Sequence, residues 1–157
     1  EFIQKSGIVT AMVGLLNAPR GTKLYQRLVK EDRLLEDPSG DNTDFSINFI
    51  PKMDQELLIK GYKSIIKQIY SPKPYYERIK RFLKEYRPSS QNLSSFGLSD
   101  VRAFFKSIFL LGIIDKDRGH YWKLFFWTMF KQPRLFSMAM GFAIYGSHFR
   151  KIFENYL

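Results

Sequence analysis

The chain has 157 residues, 45% hydrophobic and 25% charged, which is long enough for a domain with a hydrophobic core and too apolar for a disordered one. Cysteine is absent, which excludes disulfides, thiolate zinc sites, cysteine nucleophiles and cysteine-ligated iron–sulfur clusters held by these residues, and suits a reducing cytoplasm. The net charge of +10 is uneven: residues 1–59 carry 7 basic and 9 acidic side chains, residues 60–87 carry 9 and 2, and residues 88–157 carry 9 and 4. That basic middle suits nucleic acid, an anionic membrane or an acidic surface of the same protein.

The sequence opens Glu1-Phe2, with no initiator Met and no basic-then-apolar signal pattern, so it reads as part of something longer. Residues 8–16, IVTAMVGLL, form an uncharged run of strand length. Ile8, Val9, Thr10 and Val13 favour a strand, and Asn17-Ala18-Pro19-Arg20-Gly21 supplies the stop. A strand buried on both faces is typical of parallel sheets flanked by helices. Thr22 then caps a helix on which Leu24, Tyr25 and Leu28 recur at helical spacing. Residues 36–44 read as an acidic loop; they are no calcium loop, because no acidic residue closes it twelve positions after the first ligand. Residues 45–50, FSINFI, alternate polar with apolar and stop at Pro51, as a short strand or extended segment does.

From Asp54 the pattern turns helical. Asp54 serves as an N-cap, and Leu58, Tyr62, Ile65, Ile66 and Ile69 share a face that Lys60, Lys63 and Lys67 mostly avoid. Ser71-Pro72 marks a second start, with Tyr75, Ile79, Phe82, Leu83 and Tyr86 as its stripe and Pro88 as its end. Residues 88–97 form an internal linker. Three further helices are expected over residues 100–112, 119–131 and 133–153, apolar on several sides and therefore buried. Residues 135–149 carry no Lys, Arg, Asp or Glu, but a span needs about 20 apolar residues, so a core helix is the reading. The fold class is mainly α (α+β): five to six helices with one or two short strands.

No catalytic or metal constellation assembles. His120 and His148 lie in no zinc motif, and there is no GxSxG, phosphate loop or dinucleotide fingerprint. The basic stretch 60–87 is interleaved with Tyr62, Tyr70, Tyr75, Tyr76 and Tyr86, the residue types that neutralise phosphates and stack bases. Most of those tyrosines fall on the apolar stripes and no nucleic-acid motif accompanies them, which favours a solvated or intramolecular docking face.

Residues 2–35, FIQKSGIVTAMVGLLNAPRGTKLYQRLVKEDRLL, resemble the last part of a radical S-adenosylmethionine (SAM) barrel. There a late strand runs into a Pro-Gly-Thr turn and a Leu-Tyr-x-x-Leu helix; here Arg20 is inserted into the turn. GDNTDFSINFIPKM (40–53), YSPKPYYERIKRFLKEYRP (70–88) and IYGSHFRKI (144–152) resemble one subgroup of that family. It has a cobalamin-binding domain in front, the barrel in the middle and a helical C-terminal domain, and hopanoid methylases belong to that broad group.

The resemblance implies that residues 1–53 end the barrel and residues 54–157 form the helical domain of a cytoplasmic enzyme. The parent would use a [4Fe–4S] cluster, SAM and cobalamin, with the cluster's cysteines earlier in the barrel. This region, inactive by itself, would close the barrel and shape substrate access. It further implies that Leu16 and Asn17 stand where such strands approach the adenosyl group. Asn48 would face substrate, or instead satisfy loop backbone. Lys60, Lys63, Lys67, Arg78, Arg81 and Lys84 would form a docking face for the rest of the parent. A strand 8–16 stripped of its neighbours is expected to recruit a second chain into a homo-oligomer. The rival classes are a basic nucleic-acid-binding module and a membrane-surface adaptor.

Overall fold

Thr22 does what its sequence position predicts. Its hydroxyl accepts from the Tyr25 N–H at 3.2 Å and donates to the Pro19 carbonyl at 2.8 Å, fixing the start of a helix. The structure, a computed structural model, describes residues 2–35, 46–87 and 98–154. These form α1 (Phe2–Ser6), α2 (Lys23–Lys30), α3 (Gln55–Tyr70), α4 (Pro72–Glu85), α5 (Leu98–Ser107), α6 (Arg118–Lys131) and α7 (Phe136–Glu154). A π-helical segment, Ile108–Ile114, continues α5, and a 3₁₀ turn, Pro133–Leu135, leads into α7. The acidic loop 36–44 and the linker 88–97 lie outside the described residues.

Asp54 caps α3 by accepting from the Leu57 N–H at 2.9 Å. Ser71 is extended and Pro72 stands in the first turn of α4, which makes the expected corner. On α3 the buried residues are Tyr62, Ile66, Ile69 and Tyr70. Ile65, placed on that stripe by its apolar character, is 49% exposed.

The strand expectation is corrected by the structure. Among the described residues there is no β-ladder, only an antiparallel bridge between Leu34 and Phe49. Residues 8–16 run as irregular chain. A strand requires a neighbour for its main-chain groups, and here side chains take that part: Arg78 donates to Val9 O, Tyr70 to Ala11 O and Tyr62 to Val13 O. Phe49 pairs with Leu34 rather than with this run.

The chain divides into two compact units. The first, Glu1–Ala11 with Ile69–Ile152, has a core of Tyr75, Ile79 and Leu83 from α4, Tyr121 and Leu124 from α6, and Ala139, Met140 and Ala143 from α7. Tyr75 lies against Gly146, where an added Cβ would clash with the edge of its ring, and its hydroxyl donates to Phe142 O at 2.8 Å. In the π segment, Asp115 N donates five residues back to Leu110 O, and the Trp122 indole holds Gly112 O at 2.9 Å. Arg150 approaches Asp115 and Asp117 at 3.6 and 3.7 Å.

The second unit, Met12–Gln68 with Phe153–Leu157, buries Ala18, Leu28, Asn48, Tyr62 and Ile66. Beside its bridge, Leu35 N donates to Asn48 O and Ile50 N to Arg33 O, at 3.0 and 2.8 Å. The Arg33 guanidinium also holds Ile50 O and Glu31, whose carboxyl is pushed down from its ordinary range by that hydrogen bond. Among the described residues no helix is long and apolar enough to cross a membrane.

Candidate functional site

Asn17 and Asn48, the two amides expected near cofactor and substrate, hydrogen-bond protein. Asn48 is buried; its Oδ1 accepts from Ala18 N at 2.8 Å and its Nδ2 donates to Ala18 O at 2.9 Å. Asn17 Oδ1 accepts from Asn48 N at 3.0 Å, and Asn17 Nδ2 reaches Ser46 O at 3.4 Å. The two residues thus clamp the chain before the Pro19 turn to the segment around residue 48. Asn48 therefore satisfies loop backbone, the alternative role the sequence offers for it. Leu16, by contrast, is 66% exposed.

The six basic residues do not form one set. Lys60 and Lys67 are exposed and Lys63 half-buried on the second unit's part of α3. Arg78, Arg81 and Lys84 belong to the first unit, and only Arg81 and Lys84 are exposed. Arg81 donates to the carbonyls of Lys5 at 2.6 Å and Gln4 at 3.4 Å, so it caps the C-terminal end of α1. Arg81 and Lys84 also line a polar cleft of about 510 Å³ with Gln4, Lys5, Glu77 and Lys80. Burial, then the charges of Lys123 and Lys84, lowers the affinity of the Lys80 amine for its proton, and that amine lies 5.9 Å from the Trp127 ring.

Arg78 contradicts its place on a docking face, being 1% exposed. Its guanidinium donates to Gln4 Oε1 at 2.9 Å, Ile69 O at 2.7 Å and Val9 O at 3.3 Å, and sits 5.3 Å from the Tyr75 ring centre. Ile69 O belongs to the last turn of α3, where carbonyls lack helical partners and a cation is favoured. Among the described residues no carboxylate pairs with Arg78. Burial is also the largest influence on the Tyr70, Tyr75, Tyr76 and Tyr121 phenols, pushing all four up.

Two features escaped the sequence reading: the hydroxyl donations of Tyr62 and Tyr70, hidden because both rings also satisfy the apolar stripe, and an apolar groove bordered by Lys106 and Lys151. Among the described residues no three His, Cys, Asp or Glu side chains are grouped to hold a metal ion. With no cysteine in the sequence either, this chain's donor set does not fit an iron–sulfur cluster.

Comparison with known proteins adds the following. An uncharacterized methyltransferase of Synechocystis sp., sll1242, is 28% identical to this chain over 152 residues, covering 95% of the chain and 28% of that protein. The chain therefore spans under a third of the length of the relative it matches. No solved structure matches it. Residues 22–157 match the model of the domain of unknown function DUF4070, and the chain belongs to that family.

Proposed function

We propose that these residues serve as the C-terminal accessory region of a cytoplasmic, cobalamin-dependent radical SAM methyltransferase, closing its barrel and shaping access to the substrate. Methyl transfer is supported by the Synechocystis relative, which is named as a methyltransferase. The radical SAM and cobalamin parts rest on the resemblance of residues 2–35, 40–53, 70–88 and 144–152. In this reading the cluster and cobalamin are held elsewhere in the parent, and no step of this chain's own runs through them.

One observation carries the barrel reading. From Ile8 to Asn17 exposure alternates residue by residue: Val9 is buried and Ala11, Val13, Leu15 and Asn17 half-buried, while Ile8, Thr10, Met12, Gly14 and Leu16 are exposed. A period of two is the side-chain rhythm of a strand. Its exposed positions include Met12 at 85% and Leu16 at 66%, apolar side chains suited to cover by neighbouring structure.

The test begins with the gene. Sequence encoded upstream of Glu1 should contain CxxxCxxC, preceded by an Asp-x-His-x-x-Gly cobalamin signature. Anaerobic reconstitution of the longer product with iron and sulfide should give broad visible absorbance and release 5′-deoxyadenosine from SAM, while residues 1–157 alone should give neither. Absence of the upstream motifs, or a stoichiometric cluster on residues 1–157, refutes the proposal.

A further inference from the structure

The first unit contains a groove of about 280 Å³ between the α5–π segment and α7. Helical spacing builds it. Lys106, Ser107, Leu110 and Leu111 recur on one wall, and Ile144, His148 and Lys151 on the other. Burial tells floor from rim: Ser107 and Leu111 are buried, Leu110 and Ile144 half-buried, and Lys106, His148 and Lys151 exposed.

The floor presents hydrocarbon. Its fully buried hydroxyl, Ser107 Oγ, is occupied by Phe104 O at 2.7 Å and by Tyr121 Oη at 3.1 Å, and half-buried Ser147 adds a second hydroxyl on the α7 wall. The rim presents positive charge, because no carboxylate lines the groove and neither lysine forms an ion pair among the described residues. Leu110 and Leu111 come from seven residues of π-helix, Ile108–Ile114, a rare geometry found often at functional sites. A contact from α6 holds it in place: the Trp122 indole donates to Gly112 O.

We propose that this groove binds a single-chain anionic amphiphile. Its alkyl chain lies along Leu110, Leu111 and Ile144, and its carboxylate or phosphate head meets Lys106 and Lys151. The volume lies just under the roughly 300–1,000 Å³ of ordinary small-molecule pockets, which suits one alkyl chain. Opposite charge selects the head: an anion gains attraction from both ammonium groups beside a low-dielectric wall, and a cation is repelled by them. This inference is independent of the methyltransferase reading.

Titration calorimetry on residues 1–157 tests it, with decanoate, decyl phosphate and decyltrimethylammonium, each held below its micelle concentration. Both anions should bind at one site, and the cation of equal chain length at least about tenfold more weakly. The exposed double substitution Lys106→Ala/Lys151→Ala should weaken the anions roughly tenfold and leave the fold intact, as two rim charges of modest individual worth allow. Ile144→Trp should fill the groove and abolish binding. Equal affinity for the two head charges, an unchanged lysine variant, or no binding by millimolar ligand overturns the proposal. So does binding to phosphatidylglycerol vesicles without binding to the monomers, which would mark a membrane surface and not a groove.

Discussion

Arg78 offers the sharpest test of how the first unit is held. Arg78→Met keeps an unbranched apolar stem, ends short of the guanidinium and removes three donations, to Gln4 Oε1, Val9 O and Ile69 O. Each hydrogen bond from a charged donor contributes about 1.5–3 kcal/mol, and each buried acceptor left unpaired costs about 1–3 kcal/mol. Against this, the substitution relieves the burial of a cation that has no carboxylate, and whose Nε has no hydrogen-bond partner, among the described residues. Counting the two main-chain acceptors and offsetting part of the loss by that relief leaves about 3 kcal/mol of destabilisation. In a chain of this length that lowers the melting temperature by roughly 6–12 °C.

Urea unfolding followed through Trp122 and Trp127 fluorescence measures the loss directly. Arg78→Lys should recover less than half of it, because a single ammonium cannot reproduce the planar fork that spans α3, α1 and Val9. A stability for Arg78→Met within about 0.5 kcal/mol of the unsubstituted protein would refute the assignment of Arg78 as the strut of this unit.

Two further outcomes follow from the same core. Burial raises the Tyr70, Tyr75, Tyr76 and Tyr121 phenols, so each binds its proton more tightly folded than unfolded, and their stability is present below the ordinary phenol value of about 10 and lost as pH climbs through the folded values. The urea midpoint should stay flat from pH 7 to 9 and fall above about pH 10; a flat profile to pH 11.5 refutes the burial. Gly146→Ala should destabilise by about 1–3 kcal/mol because the new methyl meets the Tyr75 ring, whereas helix propensity alone would stabilise by up to about 1 kcal/mol. A melting temperature that rises would show the ring moves aside freely.

The helices were readable where local chemistry decides. Thr22 and Asp54 cap because their side chains reach the N–H groups three residues on, and proline sets the α3–α4 corner. Arg78 was misplaced because counting a charge run treats each member as solvated. Its spacing carried the correction: three residues after Tyr75, one before Ile79 and four before Phe82, it lies on the packed side of α4, and the carbonyls awaiting it come from distant segments. The π segment had no local mark, since IFLLGII suits an α-helix equally and Gly112 meets Trp122 only through tertiary contact.

The run from residue 8 to 16 separates two properties that a strand pattern joins. Apolar, β-branched sequence reports an extended backbone and a two-residue burial rhythm, and the rhythm is present. Pairing is decided by what lies alongside, because a carbonyl accepts from any donor that reaches it. In the first unit those donors are Arg78 and Tyr70, and in the second Tyr62. The same distinction governs the amides. Asn17 and Asn48 were singled out for standing where a barrel strand and loop meet a ligand, yet each lay within reach of backbone awaiting a partner. Once Asn48 is buried, leaving Ala18 N and O unpaired would cost about 1–3 kcal/mol apiece, which holds the amide to the clamp. Exposed Leu16 carries no such obligation.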